Sequence, residues 1–278
     1  MLLLVAVTAV WGWTFVLVKD AISQYPTLPF LGIRFVLAAL VMVVVVHRLP
    51  GRAVVRAGIP IGMALAAGYL FQTVGLQTTS AGNAGLITGL FVVFTPLLEG
   101  LLGAKVPRRT ALAAVVALGG TALLTGSGGG GFHRGDLLVV GCALAFAVHI
   151  VMLGRWAPGL PAGPLAMVQM LVAGLLFAGA GAHQMTVPPA SVWPAIVITA
   201  VIASALGFLI QTWAQMHISA SRTALILATE PAWALLAAVV LAGQRLGGVQ
   251  AFGAALVLAA IIGHEVLAAR DKPASALS

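Results

Sequence analysis

The chain has 278 residues, 61% hydrophobic and 7% charged, against about 45–50% and about 25% in soluble domains. A soluble fold of this size would lack the polar surface to cover itself, so the composition excludes a water-soluble globule and points to an integral membrane protein. The net charge of +8 comes from cations standing singly or in small groups between apolar runs, which excludes a clustered nucleic-acid face. The lone Cys142 excludes an intramolecular disulfide and a cysteine-based zinc motif.

The start, "MLLLVAVTAVWGWTF", lacks the basic n-region and small-residue cleavage site of a secretory signal and is expected to be a first spanning helix. Because that helix begins almost at Met1, an upstream start stays open. Apolar stretches long enough to cross about 30 Å of hydrocarbon follow in order at 2–21, 29–47, 57–77, 83–103, 109–125, 136–154, 163–182, 192–214, 221–243 and 247–267. Gly, Pro and Ser segments such as "SQYPTLP", "TTSAG" and "TVPPAS" separate them. The alternation of a barrel strand is absent, so the spans are helices, and the expected fold is all-α with ten transmembrane helices. Gly85, Gly89, Gly119, Gly120, Gly174, Gly179 and Gly181 lie within spans, where small residues let helices approach closely or hinge.

With the N-terminus inside, the cytoplasmic loops and tail collect Arg48, Arg52, Arg56, Lys105, Arg108, Arg109, Arg155, Arg222, Arg270 and Lys272, against Lys19, Arg134 and Arg245 opposite. That bias sets both termini in the cytoplasm. The linker "GSGGGGFHR" at 126–134 divides the spans into two sets of five. The expected units are a first repeat at 1–126, a linker at 127–134, a second repeat at 135–268 and a cytoplasmic tail at 269–278. "QTVGLQTTSAGNAGLI" at 72–87 lies without gaps against "QTWAQMHISASRTALI" at 211–226, with six of sixteen positions identical. Beyond them "FTPLLEGLL" at 94–102 runs beside "TEPAWALL" at 229–236 if one helical turn is inserted in the first half. A unit with an odd number of crossings must re-enter from the other side, so the halves are inverted repeats, as in secondary transporters whose sites lie near the midplane.

"WGWTFVLVKDAI" at 11–22 with "GIRFVLAAL" at 32–40, "TSAGNAGLITGLFVVFTPLL" at 79–98 and "ASRTALILATEPAWALLAAVVLAGQRL" at 220–246 resemble the first, second, fourth and ninth helices of the drug/metabolite transporter superfamily, EamA family. The resemblance implies a five-plus-five inverted fold, a bacterial inner-membrane location, and export or uptake of small metabolites. Gln244 stands where the family often carries Glu, in "GQRL", and "GAKV" at 103–106 also lacks the acid, so a family ion pair at these helix ends is in doubt.

An ionisable group at bilayer depth costs about 2.5–3.5 kcal/mol on insertion scales, which makes it a functional candidate by default. Glu230, about 12 Å past Arg222 at the helical rise, sits beside Pro231, which leaves the Leu227 carbonyl without its usual donor. It is a candidate for proton, cation or amine binding, or else a hydrogen-bonded structural acid. His149, on one face with Phe146 and Cys142, suits proton relay, alone or paired with Glu230, or packing. Glu99 shares a stripe with Thr88, Val92 and Thr95 and is read mainly as structural, reaching Arg108 or Arg109. Arg34 has a stem long enough to snorkel outward, or it contacts substrate or gates. Trp11 and Trp233, away from the aromatic belts, are candidates to line a pocket with Thr14, Gln72 and Gln211, against the plainer reading of helix packing.

The expected function is a secondary transporter of small metabolites such as amino acids, with export preferred. It works by alternating access within the bilayer and proton coupling is open. There is no cofactor or metal motif, no nucleic-acid partner, and the oligomeric state is open. No G-x-x-x-x-G-K-[ST] occurs, so ATP hydrolysis by this chain is not expected. An intramembrane enzyme is the alternative, opposed by the absence of H-E-x-x-H and G-x-S-x-G, and a scaffold or channel is another.

Overall fold

A computed structural model describes residues 2–79, 81–125, 134–230, 232–233, 236 and 247–270. Among them every regular element is helical: α1 Leu2–Gln24, α2 Thr27–Val46, α3 Arg52–Gly75, α4 Ala81–Thr88, α5 Phe91–Leu101, α6 Arg108–Thr125, α7 Arg134–Trp156 and α8 Ala162–Ala180. They continue with α9 Trp193–Ile198, a π-helical stretch Thr199–Leu206, α10 Gly207–Gln215, α11 Ala220–Leu227 and α12 Gly248–Arg270. Six spans among the described residues, the last running Ala190–Gln215, are long and apolar enough to cross a membrane. The protein is a multi-pass helical membrane protein.

Prolines set several helix starts. Pro26 precedes α2 and Pro161 precedes α8, positions where a missing N–H costs nothing. Three expectations are corrected. Arg134, placed in the linker, is the first residue of α7. The span at 192–214 is continuous but widens into a π-helix, which offsets the backbone hydrogen bonds by one residue. The span at 83–103 is two helices broken at Gly89 and Leu90. Pro231 and its kink, residues 237–243 of the ninth span, Gln244, Arg245, Lys272, Ser80, linker residues 127–133 and the tail from 271 lie outside the described residues.

The break before α5 has a counterpart after α11. Gly89 N–H donates to Gly85 O at 3.1 Å and Leu90 to Ile87 O at 3.1 Å, after which Val93 and Phe94 both donate to Leu90 O, at 2.9 and 3.0 Å. In the second half Ala228 donates to Ala224 O at 3.0 Å and Thr229 to Ile226 O at 3.1 Å, and Ala232 and Trp233 both donate to Thr229 O, at 3.0 and 3.2 Å. The two patterns coincide in the gapless register that pairs Gln72 with Gln211. The inserted turn that aligns the two prolines is therefore not needed, and Glu230 corresponds to Phe91.

Helices pack in matching pairs. α2 lies on α8 and α6 on α12, each first-half element against its expected counterpart, α5 of the fourth span lies on α11 of the ninth, and α3 packs on α7 and α10 on α1. The α2–α8 contact is backbone-close. A Cβ at Gly32 would fall 3.0 Å from Ala178 N, and one at Gly174 would fall 2.8 Å from Val36 N, so only glycine lets these helices meet. Gly120 and Gly181 serve similarly, against Gly253 O and Pro29 N. Gly85, Gly119 and Gly179 meet nothing within 4 Å, which corrects the close-packing expectation for those three.

Candidate functional site

The two broken helices and helices α1, α2, α3, α7 and α10 converge on a central cavity. Its polar wall holds Glu230, His149, Arg34, Gln72, Gln211 and Thr14, and its apolar wall includes Trp11, Tyr69, Phe91, Phe146 and Phe208. Seven of the residues singled out from sequence thus face one space.

Arg34 is 2% exposed. Its Nε donates to Ser204 Oγ at 2.9 Å and its Nη2 to Tyr69 OH at 3.2 Å, while the guanidinium stacks over the Tyr69 ring at 4.6 Å and the Phe35 ring at 5.2 Å. This corrects the snorkelling alternative. Nearby hydroxyls and aromatic faces compensate the charge inside the bundle, so the stem has no need to reach the interface.

Trp11 is fixed by the π-helix. Its Nε1–H donates to the Ala203 carbonyl at 2.8 Å, inside the widened stretch, and its ring lies 5.1 Å from Phe208. Thr14 Oγ1 donates to Trp11 O at 2.8 Å, so its hydroxyl is satisfied within α1. Gln211 Nε2 donates to Gln215 Oε1 at 3.0 Å. The buried Gln211 Oε1 has no hydrogen-bond partner among the described residues. Gln72 reaches only to Thr88 Oγ1, at 3.5 Å.

His149 hydrogen-bonds not with Glu230 but with Gln169, Nε2 to Oε1 at 2.9 Å. Gln169 in turn donates to Leu165 O and to Thr212 Oγ1, each at 3.2 Å. The amide oxygen accepts, so Nε2 carries the proton in this arrangement. Phe208 caps the imidazole edge-on at 5.8 Å and 89°. The expected His149–Glu230 couple is thus replaced by a His149–Gln169–Thr212 chain that ties α7, α8 and α10 together.

Glu230 follows the break after α11 and is 8% exposed. No hydrogen bond to its carboxylate occurs among the described residues. This differs from the hydrogen-bonded structural acid that the sequence leaves open, because a buried acid with a purely structural role is expected to be paired. The neighbouring Thr229 is satisfied, bonding Thr8 Oγ1 at 2.8 Å and Ile226 O at 2.8 Å.

Glu99 and Trp233 are not in the cavity lining among the described residues. Glu99 accepts from the Ser221 N–H at 3.0 Å and from the Ser221 hydroxyl, so it caps the start of α11, where a carboxylate also meets the positive end of the helix. Trp233 is half-buried three residues past Glu230. Cys142, on the His149 stripe, is fully buried behind the wall, with its sulfur 3.9 Å from Thr88 Oγ1.

Sequence reasoning missed Tyr69, Phe91, Phe208 and Gln169. The repeat carries the signal for the first three. The register pairing Gln72 with Gln211 also pairs Tyr69 with Phe208, one turn earlier on the same face, and Phe91 with Glu230. A register pairing Pro29 with Pro164 aligns Arg34 with Gln169, Trp11 with Phe146 and Thr14 with His149. Most of the lining therefore consists of corresponding residues from the two halves.

A sequence model of the EamA-like transporter family matches residues 1–126 and 133–264. An uncharacterized transporter of Archaeoglobus fulgidus is 33% identical over 262 residues, covering 93% of this chain and 83% of the relative. The uncharacterized inner membrane transporter YedA of Escherichia coli K12 is 26% identical over 257 residues, 88% of this chain and 82% of its own. A protein of known crystal structure superposes with a TM-score of 0.79 at 22% identity, covering 96% of this chain and 97% of that chain, a likeness of fold.

Proposed function

The chain belongs to the EamA-like transporter family and is a membrane transporter, and we propose that it exports small metabolites such as amino acids by alternating access, with Glu230 coupling movement to protons or binding a substrate amine. One observation carries this reading: a carboxylate with no hydrogen-bond partner among the described residues faces a central cavity at the point where the helices of both halves break. Interrupted helices at a repeat interface are where secondary transporters place their sites. Ten crossings in two inverted halves are supported by the pairing of α2 with α8, α5 with α11 and α6 with α12, and cytoplasmic termini by the bias of Lys and Arg along the sequence. The inverted halves are supported too by the shared backbone pattern at the two breaks. The family match to 1–126 and 133–264 supports a boundary at the glycine-rich linker. The printed name of the E. coli relative supports the inner membrane as the location in a bacterium.

The aromatic walls favour substrates with an apolar body, and the Arg34, Glu230 and Gln211 groups favour a polar or charged head. A metabolite-panel counterflow assay in proteoliposomes, with and without a pH gradient, tests the proposal on wild type and Glu230→Gln. Saturable counterflow that loses its response to the gradient in Glu230→Gln is the expected result. Because no hydrogen bond to the carboxylate is lost, the variant should keep wild-type thermal stability. Full gradient-driven flux in Glu230→Gln rejects the coupling role, and the absence of counterflow across the panel counts against transport.

A further inference from the structure

A second, more open cavity lies at the end of the bundle where α1 and α3 finish and α4 begins. Lys19, Asp20 and Ser23 of α1 line it together with Gln77, and Val16, Ile22, Leu76 and Ala81 supply apolar surface, which makes it a mixed vestibule carrying both signs of charge. Among the described residues one side chain lines both this vestibule and the central cavity: Leu76. It is 1% exposed.

Leu76 is the C-cap residue that follows α3. Its N–H still donates to Gln72 O at 2.9 Å, but the Gln77 N–H turns back to Val74 O at 3.1 Å, and those of Thr78 and Thr79 turn back to Gly75 O at 3.1 and 3.0 Å. The backbone on either side is anchored. A Cβ at Gly75 would sit 2.9 Å from Gly135 O on α7. The Thr79 hydroxyl donates to the Asp136 carboxylate, and the Thr79 carbonyl accepts from Lys19 Nζ at 2.5 Å. The side chain itself carries no polar group, and changing its staggered rotamer breaks no hydrogen bond.

The opposite end of the cavity is closed differently. The repeat register places Gln215 where Leu76 stands in the first half. Gln215 donates to Ile150 O at 2.7 Å and accepts from Gln211 at 3.0 Å. Beyond it a Cβ at Gly154 would fall 3.1 Å from Ala220 Cβ, Glu99 bonds Ser221, and Arg155 donates to Leu102 O at 2.7 Å. Opening that end requires breaking several hydrogen bonds and separating packed helices. At the vestibule end the side chain shared by the two spaces among the described residues is the apolar Leu76.

We propose that Leu76 is the gate between the central cavity and the vestibule, and that from the arrangement seen here the protein opens first at the Leu76 end. The proposal rests on the alternating-access reading, but its test needs no substrate.

A cysteine at cavity residue 14 (Thr14→Cys, in a Cys142→Ala background) reports access by a membrane-impermeant charged thiol reagent confined to one face of right-side-out or inside-out vesicles. Leu76→Ala is expected to speed labelling from the vestibule face about tenfold, equivalent to about 1.4 kcal/mol off the barrier. Leu76→Met, which keeps the volume and controls for folding, should label at the rate of the leucine protein, and Leu76→Trp more slowly. Gln215→Ala should not speed labelling from the vestibule face. Equal rates for Leu76 and Leu76→Ala in folded protein overturn the gate, as does acceleration seen only from the other face. Absence of counterflow with a Leu76-dependent labelling rate would instead reject transport while leaving the gate in place.

Discussion

Gly68 of α3 is the position where a single methyl group most directly tests the cavity wall. A Cβ placed there falls 2.5 Å from Phe146 Cε1, 2.6 Å from Cδ1 and 3.1 Å from Cζ, against about 3.5–4.0 Å for an ordinary carbon–carbon contact. The ring must therefore retreat by roughly 1 Å. It stands edge-on to Tyr69 at 5.4 Å and 80° and lines the central cavity, so the retreat is expected to disturb that pair or narrow the cavity. Overpacking of this kind costs about 1–3 kcal/mol, while replacing Gly by Ala in a helix returns up to about 1 kcal/mol. The overpacking wins, and Gly68→Ala is destabilised by up to about 2 kcal/mol. Gly179→Ala in α8 supplies the control, because nothing lies within 4 Å of its Cβ and only the helix term acts. The two variants should differ by about 1–3 kcal/mol in thermal unfolding followed in one detergent by circular dichroism. Adding Phe146→Leu should recover part of the loss in Gly68→Ala, as a double-mutant cycle would register. Equal stability of the two alanine variants would refute the assigned packing of Phe146 on Gly68.

At Arg34 the order of two replacements is informative. Lysine keeps the cost of a buried charge but loses the planar fork that serves Ser204 and Tyr69, so Arg34→Lys should be less stable than Arg34→Met; thermal unfolding checks this, and the reverse order would mean that the charge itself is well compensated. At the other end of the bundle, Glu99→Ala removes the acceptor for the Ser221 N–H and hydroxyl. That should cost about 0.5–2 kcal/mol, as for lost helix caps, with faster hydrogen exchange at the start of α11 and no change at α1.

Gln72 and Gln211 are readable as partners from sequence because a gapless repeat carries both, and the cavity receives both. Arg34, His149 and Glu230 are readable as inward-facing from the cost of placing an ionisable group in lipid. What the side chains hold is a different matter. His149 is bound by Gln169, a neutral residue in an apolar helix, and ranking residues by charge passes over neutral partners. Glu99 carries the same intramembrane signal as Glu230 but lies nearer its helix end, where it meets the exposed N–H groups of α11. Composition does not encode such a meeting between distant segments. The break in the fourth span is hidden for a related reason. Gly89 and Leu90 sit inside an unbroken apolar run, and proline at 96 draws attention to the wrong turn.

The two breaks explain how a repeated fold carries chemistry on one side only. Four backbone donors at each break correspond, Gly89, Leu90, Val93 and Phe94 with Ala228, Thr229, Ala232 and Trp233, so both halves present the residue after the break to the cavity at equivalent positions. The first half places Phe91 there and the second Glu230. The same holds on α1 and α7, where Thr14 is satisfied by its own helix and His149 is held by Gln169. It holds again on α3 and α10, where Tyr69 takes a bond from Arg34 while Phe208 offers only ring faces. Inverted halves with identical linings would make the two closed ends equal in free energy. Here the substitutions fall at corresponding positions of a common backbone, so the inequality resides in a few side chains rather than in the fold. The leucine–glutamine difference between positions 76 and 215 extends that inequality from the cavity to its two exits.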